Sequence, residues 1–167
     1  MDSRAILAEL PRLRRYARAM LGDRAAADDL VQDTLERAWS RISQWRPGSD
    51  LRAWLFGIMH NLRIDQLRRG GLPTTLLDEE EAGNVPVRAT QSDLLEVMDL
   101  ESALRQLPEE QRQILLLVAL EEMSYADIAA LLGIPVGTVM SRLSRGRERL
   151  RLVMDGRQPA ANLRVVR

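Results

Sequence analysis

Apolar and polar positions follow a helical period along most of this chain. From Ala25 to Trp39, Leu30, Thr34, Leu35, Ala38 and Trp39 recur at i, i+4, i+5, i+8 and i+9, which puts them on one face of a helix. Asp28, Asp29, Gln32, Asp33 and Glu36 fill the rest of that helix. From Leu51 to Arg69 the apolar stripe is Leu51, Trp54, Leu55, Ile58, Met59 and Leu62, and the opposite face carries Arg52, Asn61, Arg63 and Arg68. No strand-like alternation of useful length occurs, so the pattern predicts an all-α fold.

The periodicity is interrupted in two places. The "RPGSD" of Arg46 to Asp50 predicts a loop, with Ser49 or Asp50 capping the helix that follows. After Arg69 the stretch "GGLPTTLLDEEEAGNVPVRATQ" is rich in glycine, proline and acid and has no sustained period. It predicts a flexible acidic linker over residues 70–91, between an N-terminal helical bundle at 1–69 and a C-terminal helical domain at 92–154, with a tail at 155–167. The second domain begins with a helix around Asp93 to Gln106. In "LPEEQRQILLLVALEEM" Pro108 suits the first helical position, and Glu109 and Glu110 favour the positive helix end. Ser124 caps the next helix with Asp127 as its capping-box partner, Gly133 ends it and Pro135 opens the last one.

Residues 124–150, "SYADIAALLGIPVGTVMSRLSRGRERL", therefore read as a helix-turn-helix. Ile128, Ala129, Leu132, Ile134, Val139 and Leu143 supply the apolar contact between its two helices, leaving Thr138, Ser141, Arg142, Ser144, Arg145, Arg147 and Arg149 outward. With the N-terminal half of the second helix in a major groove, Ser141, Arg142 and Arg145 come near base edges, and Arg147 and Arg149 near phosphates. The competing reading is a helical hairpin with a solvated arginine face. Four arginines against one acid within residues 142–149 weigh against it.

Charge at first contradicts a nucleic-acid partner, because 24 basic and 24 acidic residues give a formal net charge of zero. The distribution resolves this. Residues 1–76 hold 13 Arg against 9 acids, residues 77–123 hold 3 Arg against 12 acids, and residues 136–167 hold 8 Arg against 2 acids. Screening over about 8–10 Å lets the two basic ends meet a polyanion independently of the acidic middle. Every basic residue is arginine, which suits bidentate phosphate and guanine contacts, although genomic base composition alone can replace lysine.

With 46% hydrophobic residues in 167, the chain can build a real core. It contains no cysteine and a single histidine, His60, so no thiolate site, histidine metal site or Ser-His-Asp triad can be assembled. No activated nucleophile is found. The expectation is a non-enzyme without metal or cofactor. No apolar run approaches the roughly 18 residues of a membrane span, and the N-terminal apolar residues are broken by charges, so a cytoplasmic protein without membrane insertion is expected. Trp39 and Trp54 lie on the apolar stripes and are expected in the core, whereas Trp45 lies beside the loop.

The segment "LPEEQRQILLLVALEEMSYADIAALLGIPVGTVMSRLSRGRERLR" resembles the promoter-reading C-terminal domain of the extracytoplasmic-function sigma factors of bacterial RNA polymerase. In the N-terminal half, "DDLVQDTLERAW" is similar to the core-binding helix of that family, and "LRAWLFGIMHNLRIDQLRR" to its helix for the minus-ten element.

The resemblance implies that Asp28, Asp29, Gln32, Asp33 and Glu36 meet the clamp helices of the largest subunit of core RNA polymerase. It implies that Asn61, with the loop Ser43 to Asp50 and Trp45, holds a base flipped from the minus-ten element, while Arg63, Arg68 and Arg69 contact the strand backbone. The helix-turn-helix would read the minus-thirty-five element of promoter DNA. The acidic linker would occupy the positively charged cleft of the polymerase, and an anti-sigma factor would restrain the whole. Met140 stands where many relatives have a basic residue. A stand-alone dimeric helix-turn-helix regulator remains the alternative from a different class.

Overall fold

The computed structural model describes residues 3–70 and 94–156. The acidic linker expected at 70–91 lies outside the described residues from 71 onward, as does the tail beyond Gly156. Among the described residues the chain is entirely helical: α1 (Ser3–Ala8), α2 (Leu10–Leu21), α3 (Arg24–Ser40), a 3-10 turn (Ile42–Gln44), α4 (Leu51–Arg69), α5 (Leu94–Arg105), α6 (Glu109–Ala119), α7 (Tyr125–Leu132) and α8 (Val136–Gly156).

Local chemistry sets the helix ends. Gly22 closes α2 at φ 73°, a left-handed conformation that glycine adopts without a Cβ penalty, and its N–H donates to Arg18 O at 2.9 Å. Asp23 then caps α3 by accepting from Ala25 N–H at 3.1 Å. Between the two candidate caps of α4, it is Asp50 that accepts, from Ala53 N–H at 3.2 Å. Ser124 Oγ accepts from Asp127 N–H at 3.0 Å, and Gly133 closes α7 at φ 71°. The axis turns by 106° between α7 and α8, the wide angle of a helix-turn-helix. No single helix among the described residues is long and apolar enough to cross a membrane.

α2, α3 and α4 form the N-terminal bundle around Leu13, Tyr16, Leu30, Val31, Leu55 and Phe56. Tyr16 and Phe56 pack edge to face, with ring centroids 5.1 Å apart. In the C-terminal domain α6, α7 and α8 enclose Ile114, Leu117, Ile128, Val139 and Leu143. The two cores are continuous, because Leu117 and Leu131 of the second domain line a crevice with Tyr16, Met20, Phe56 and Met59 of the first.

The buried stripe of α3 is Ala27, Leu30, Val31, Thr34 and Ala38, about one position back from the stripe expected from the sequence. Trp39 consequently leaves the core and is 38% exposed, which corrects the expectation that it is buried. Trp54 does pack against the core, and Trp45 is half-buried.

Candidate functional site

The acidic helix presents its side chains as expected from the pattern. Asp29, Gln32, Asp33 and Glu36 are exposed along α3, at spacings that share one face. Asp28 is half-buried and engaged, since Arg18 reaches its Oδ1 through NH2 at 3.2 Å and Nε at 3.3 Å. Trp39, three residues beyond Glu36, extends this face with an exposed indole. An acidic ridge repels phosphate, and the exposed aromatic side chain at its end is of a type enriched at protein interfaces, so the ridge suits a basic protein partner better than DNA.

On α4, Asn61, Arg68 and Arg69 are exposed, with the last two arginines on the final turn. Arg63 was expected on the same open face, and here the structure differs. Glu109 of α6 takes its guanidinium in a bidentate pair, Nε to Oε2 at 2.7 Å and NH2 to Oε1 at 2.9 Å. That hydrogen-bonded carboxylate raises the Arg63 pKa above its ordinary value. One turn away, Gln113 Nε2 lies 2.9 Å from His60 Nδ1; with the amide donating, the neutral ring carries its proton on Nε2. Burial lowers the His60 pKa, partly opposed by Glu109. The flank of α4 that carries His60 and Arg63 is thus covered by the second domain, while Asn61 and Arg68 stay open; helical period cannot reveal this long-range contact.

On α8, Ser141, Ser144, Arg145 and Arg147 are exposed, and Thr138 and Arg149 are half-buried. Arg142 departs from the expectation. Its position flanks the buried stripe Val139, Leu143 and Gly146, and NH2 lies 3.4 Å from Glu110 Oε1 on the first turn of α6. It is drawn toward its own domain instead of facing outward beside Ser141 and Arg145. Gly146 lets α6 approach closely: a Cβ there would sit 3.3 Å from Gln111 Cβ and from Leu115 Cδ1.

Sequence reasoning missed Glu121. This carboxylate follows α6 and is 0% exposed, yet its cationic partners come from the other domain: Arg12 and Arg15 on α2 at 3.4 Å each, and Arg52 on α4 at 4.0 Å. Arg15 also donates to Leu120 O at 3.1 Å, and Arg105 of α5 donates to Gly22 O at 3.2 Å. A signal was present. Ile114, Leu117 and Glu121 stand at i, i+3 and i+7, so a charge occupies the next step of an apolar stripe. A buried charge requires partners, and three cations provide them.

Burial pushes the Tyr16 phenol upward, keeping it neutral. Arg112, lowered by burial, donates to Leu104 O and Leu107 O at 3.1 Å each and so serves the C-terminal end of α5. Among the described residues no group of three or more His, Asp or Glu side chains is placed to hold a metal ion.

Residues 6–60 match the family model of the Sigma2 domain of PhyR, and residues 98–150 that of sigma-70 region 4. The chain is 40% identical over 153 residues to the ECF RNA polymerase sigma factor EcfG of Rhodopseudomonas palustris, covering 90% of this chain and 84% of that protein. It is 33% identical over 145 residues to SigW of Bacillus subtilis, covering 79% and 77% respectively. Among solved structures it is similar to the sigma factor RpoE of Bartonella quintana in complex with the anti-sigma factor NepR. That likeness has a TM-score of 0.73 and 34% identity over 91% of this chain and 95% of that one. It is also similar to CnrH in complex with the cytosolic domain of CnrY, with a TM-score of 0.68 and 27% identity over 93% and 88%. Two sigma-type domains in order, and relatives of this identity matched along most of their length, place the chain in the extracytoplasmic-function family of RNA polymerase sigma factors.

Proposed function

We propose how this sigma factor divides promoter-specific initiation between its two domains. The exposed ridge Asp29, Gln32, Asp33 and Glu36, with Asp28 at its edge and Trp39 at its end, anchors the factor on the clamp helices of core polymerase. The α8 side chains Ser141, Ser144, Arg145 and Arg147 dock the minus-thirty-five element in its major groove, with Arg149 toward phosphate. Asn61, together with the loop at 43–50 and Trp45, holds an unstacked base of the minus-ten element, and the exposed Arg68 and Arg69 follow the strand. The factor contributes recognition and melting in the cytoplasm, and nucleotide addition belongs to the polymerase. The domain limits for these roles are 1–69 and 92–154, the acidic linker at 70–91 entering the polymerase cleft.

The observation that best supports this division is the separation of chemistries: an acidic exposed face on α3 and an exposed Ser/Arg face on the first half of α8. The described arrangement suits a factor at rest, because Arg63 is occupied by Glu109. The similar RpoE of Bartonella quintana, matched over both domains, is in complex with an anti-sigma factor, which favours the same kind of partner here. Transcription with purified core polymerase tests the reading. Initiation should depend on this chain at a subset of promoters, and no initiation above core alone across a broad promoter set would overturn it. Asn61→Ala should reduce promoter opening while leaving core affinity intact; a large loss of core affinity would remove the assigned role.

A further inference from the structure

The first turns of α8 carry a feature that the polar contacts do not use. Met140 is 51% exposed and Val136, one turn earlier, is 42% exposed, so two apolar side chains at i and i+4 stand in solvent. Met140, Ser144 and Arg147 follow at i, i+4 and i+7, which places the thioether on the same ridge as two side chains assigned to DNA. Ser141 is its exposed neighbour on the other side. The same ridge borders an open groove with Tyr125 of α7 and Arg151 further along α8.

We infer that Met140, supported by Val136, is a specificity-determining residue that reads the 5-methyl group of a thymine in the minus-thirty-five element. The inference rests on the reading that α8 enters the major groove. Only thymine presents an apolar group there, and its recognition requires an apolar side chain on the base-facing part of the helix. Methionine is unbranched and polarizable, so it can follow a methyl group whose position shifts with local DNA shape. The exposed Arg147 holds a phosphate beside such a contact, and the exposed Arg145 reaches a base edge next to it. A polar readout at this position would instead need a donor or acceptor, and methionine offers at most a weak acceptor.

The test uses the full chain with core polymerase and a promoter selected from a library randomised in the minus-thirty-five element. Each thymine of the selected element is replaced in turn by deoxyuridine, which removes only the methyl group. For the unaltered chain, one replacement should weaken promoter binding by about fourfold, the loss of one buried methyl-sized contact. In Met140→Ala that replacement should have no effect, because the contact is already gone, and Met140→Leu should restore most of the sensitivity. Selection with Met140→Ala should relax the preference for thymine at that position alone. The inference is overturned if no deoxyuridine replacement affects the unaltered chain, or if its effect persists unchanged in Met140→Ala. Arg145→Ala separates the two levels. If it leaves minus-thirty-five selectivity intact, docking of α8 itself fails; if it abolishes selectivity while Met140→Ala changes nothing, only the present inference fails.

Discussion

Replacing Glu121 by alanine tests whether the two domains clasp each other through charge. The carboxylate is fully buried, and all three of its ion pairs cross from the C-terminal domain to α2 and α4. Truncating one partner of a fully buried pair costs about 3–5 kcal/mol, because the stranded charge stays out of water. Exposed pairs are worth about 0–1 kcal/mol. Glu121 lies between these limits. Arg12 and Arg15 are half exposed and can turn into solvent, whereas Arg52 is more confined, and its contact is the longest at 4.0 Å. The loss should therefore be about 1.5–3 kcal/mol, a shift of roughly 10- to 100-fold in the ratio of closed to open chain. Because the partners belong to different domains, the change should appear as domain separation before either domain melts. The chain has no cysteine, so Ser40→Cys on α3 and Leu152→Cys on α8 give a clean pair of spin-label sites, both exposed. Pulsed electron paramagnetic resonance on the labelled chain should show a single narrow distance population that broadens in Glu121→Ala. Glu148→Gln, which loses only an exposed pair with Arg151, serves as the control and should change nothing. An unchanged distance distribution in Glu121→Ala, accompanied by ordinary melting of the second domain, would refute the clasp.

His60 makes the same contact sensitive to pH. Its pKa in the closed chain lies below the ordinary 6.5, chiefly through burial, and Glu109, Arg142, Gln113 and Arg63 surround it. The open chain therefore binds the proton more readily, so closure keeps its full stability above about pH 6.5 and loses it as pH falls from there toward the lower closed-state value. His60→Gln should flatten that dependence in the same distance measurement, and persistence of the slope would assign it to another group. Glu109→Gln should release Arg63 and tighten binding of the free chain to single-stranded DNA several-fold at low salt; Glu109→Gln with Arg63→Ala should return it to the starting level. Gly22→Ala should lower stability by about 1–2 kcal/mol from its left-handed φ alone. It also places a Cβ against the Arg105 side chain, so Arg105→Ala should recover part of the loss in urea unfolding. Asp33→Arg with Glu36→Arg should weaken core binding at least tenfold while leaving the unfolding midpoint near its original value, since both sites are exposed; an equal loss of stability would point to a packing role.

Local chemistry was legible where it is decided within one turn. Asp50, Ser124 and Gly133 act at the helix ends where their side-chain oxygens or missing Cβ predicted them, and the helix-turn-helix core of Ile128, Val139 and Leu143 is buried as its spacing required. Phase was less secure. Leu30, Thr34 and Ala38 belong to the buried face of α3 under either choice, and Ala27 and Val31, buried but not counted, shift the stripe far enough to expose Trp39. Side chains at the margin of a stripe are ambiguous for the same reason: Arg142, beside Leu143, turns to Glu110 because an acid lies opposite on α6. That neighbour is some thirty residues away in sequence, and nothing in the period of α8 encodes it.

The contacts between domains also change the meaning of the zero net charge. The acidic middle of the chain is not only a counterweight carried by the linker. Glu109 and Glu121 belong to it, and they meet Arg63, Arg12, Arg15 and Arg52 of the basic N-terminal domain directly. A phosphate approaching Arg63 must therefore displace a bidentate carboxylate, exchanging one charge-assisted pair for another of similar strength. Such an exchange gains little by itself, so DNA alone is a weak opener of the closed chain. The decisive free energy has to come from a partner that binds the open chain better than the closed one; it can dock first on the α3 ridge, which is exposed while the clasp is closed, and must gain further contacts on opening. Under the proposed roles, contact of Arg63 with promoter phosphate is in this way conditional on a partner docked on α3, without any contact between α3 and α6 being required.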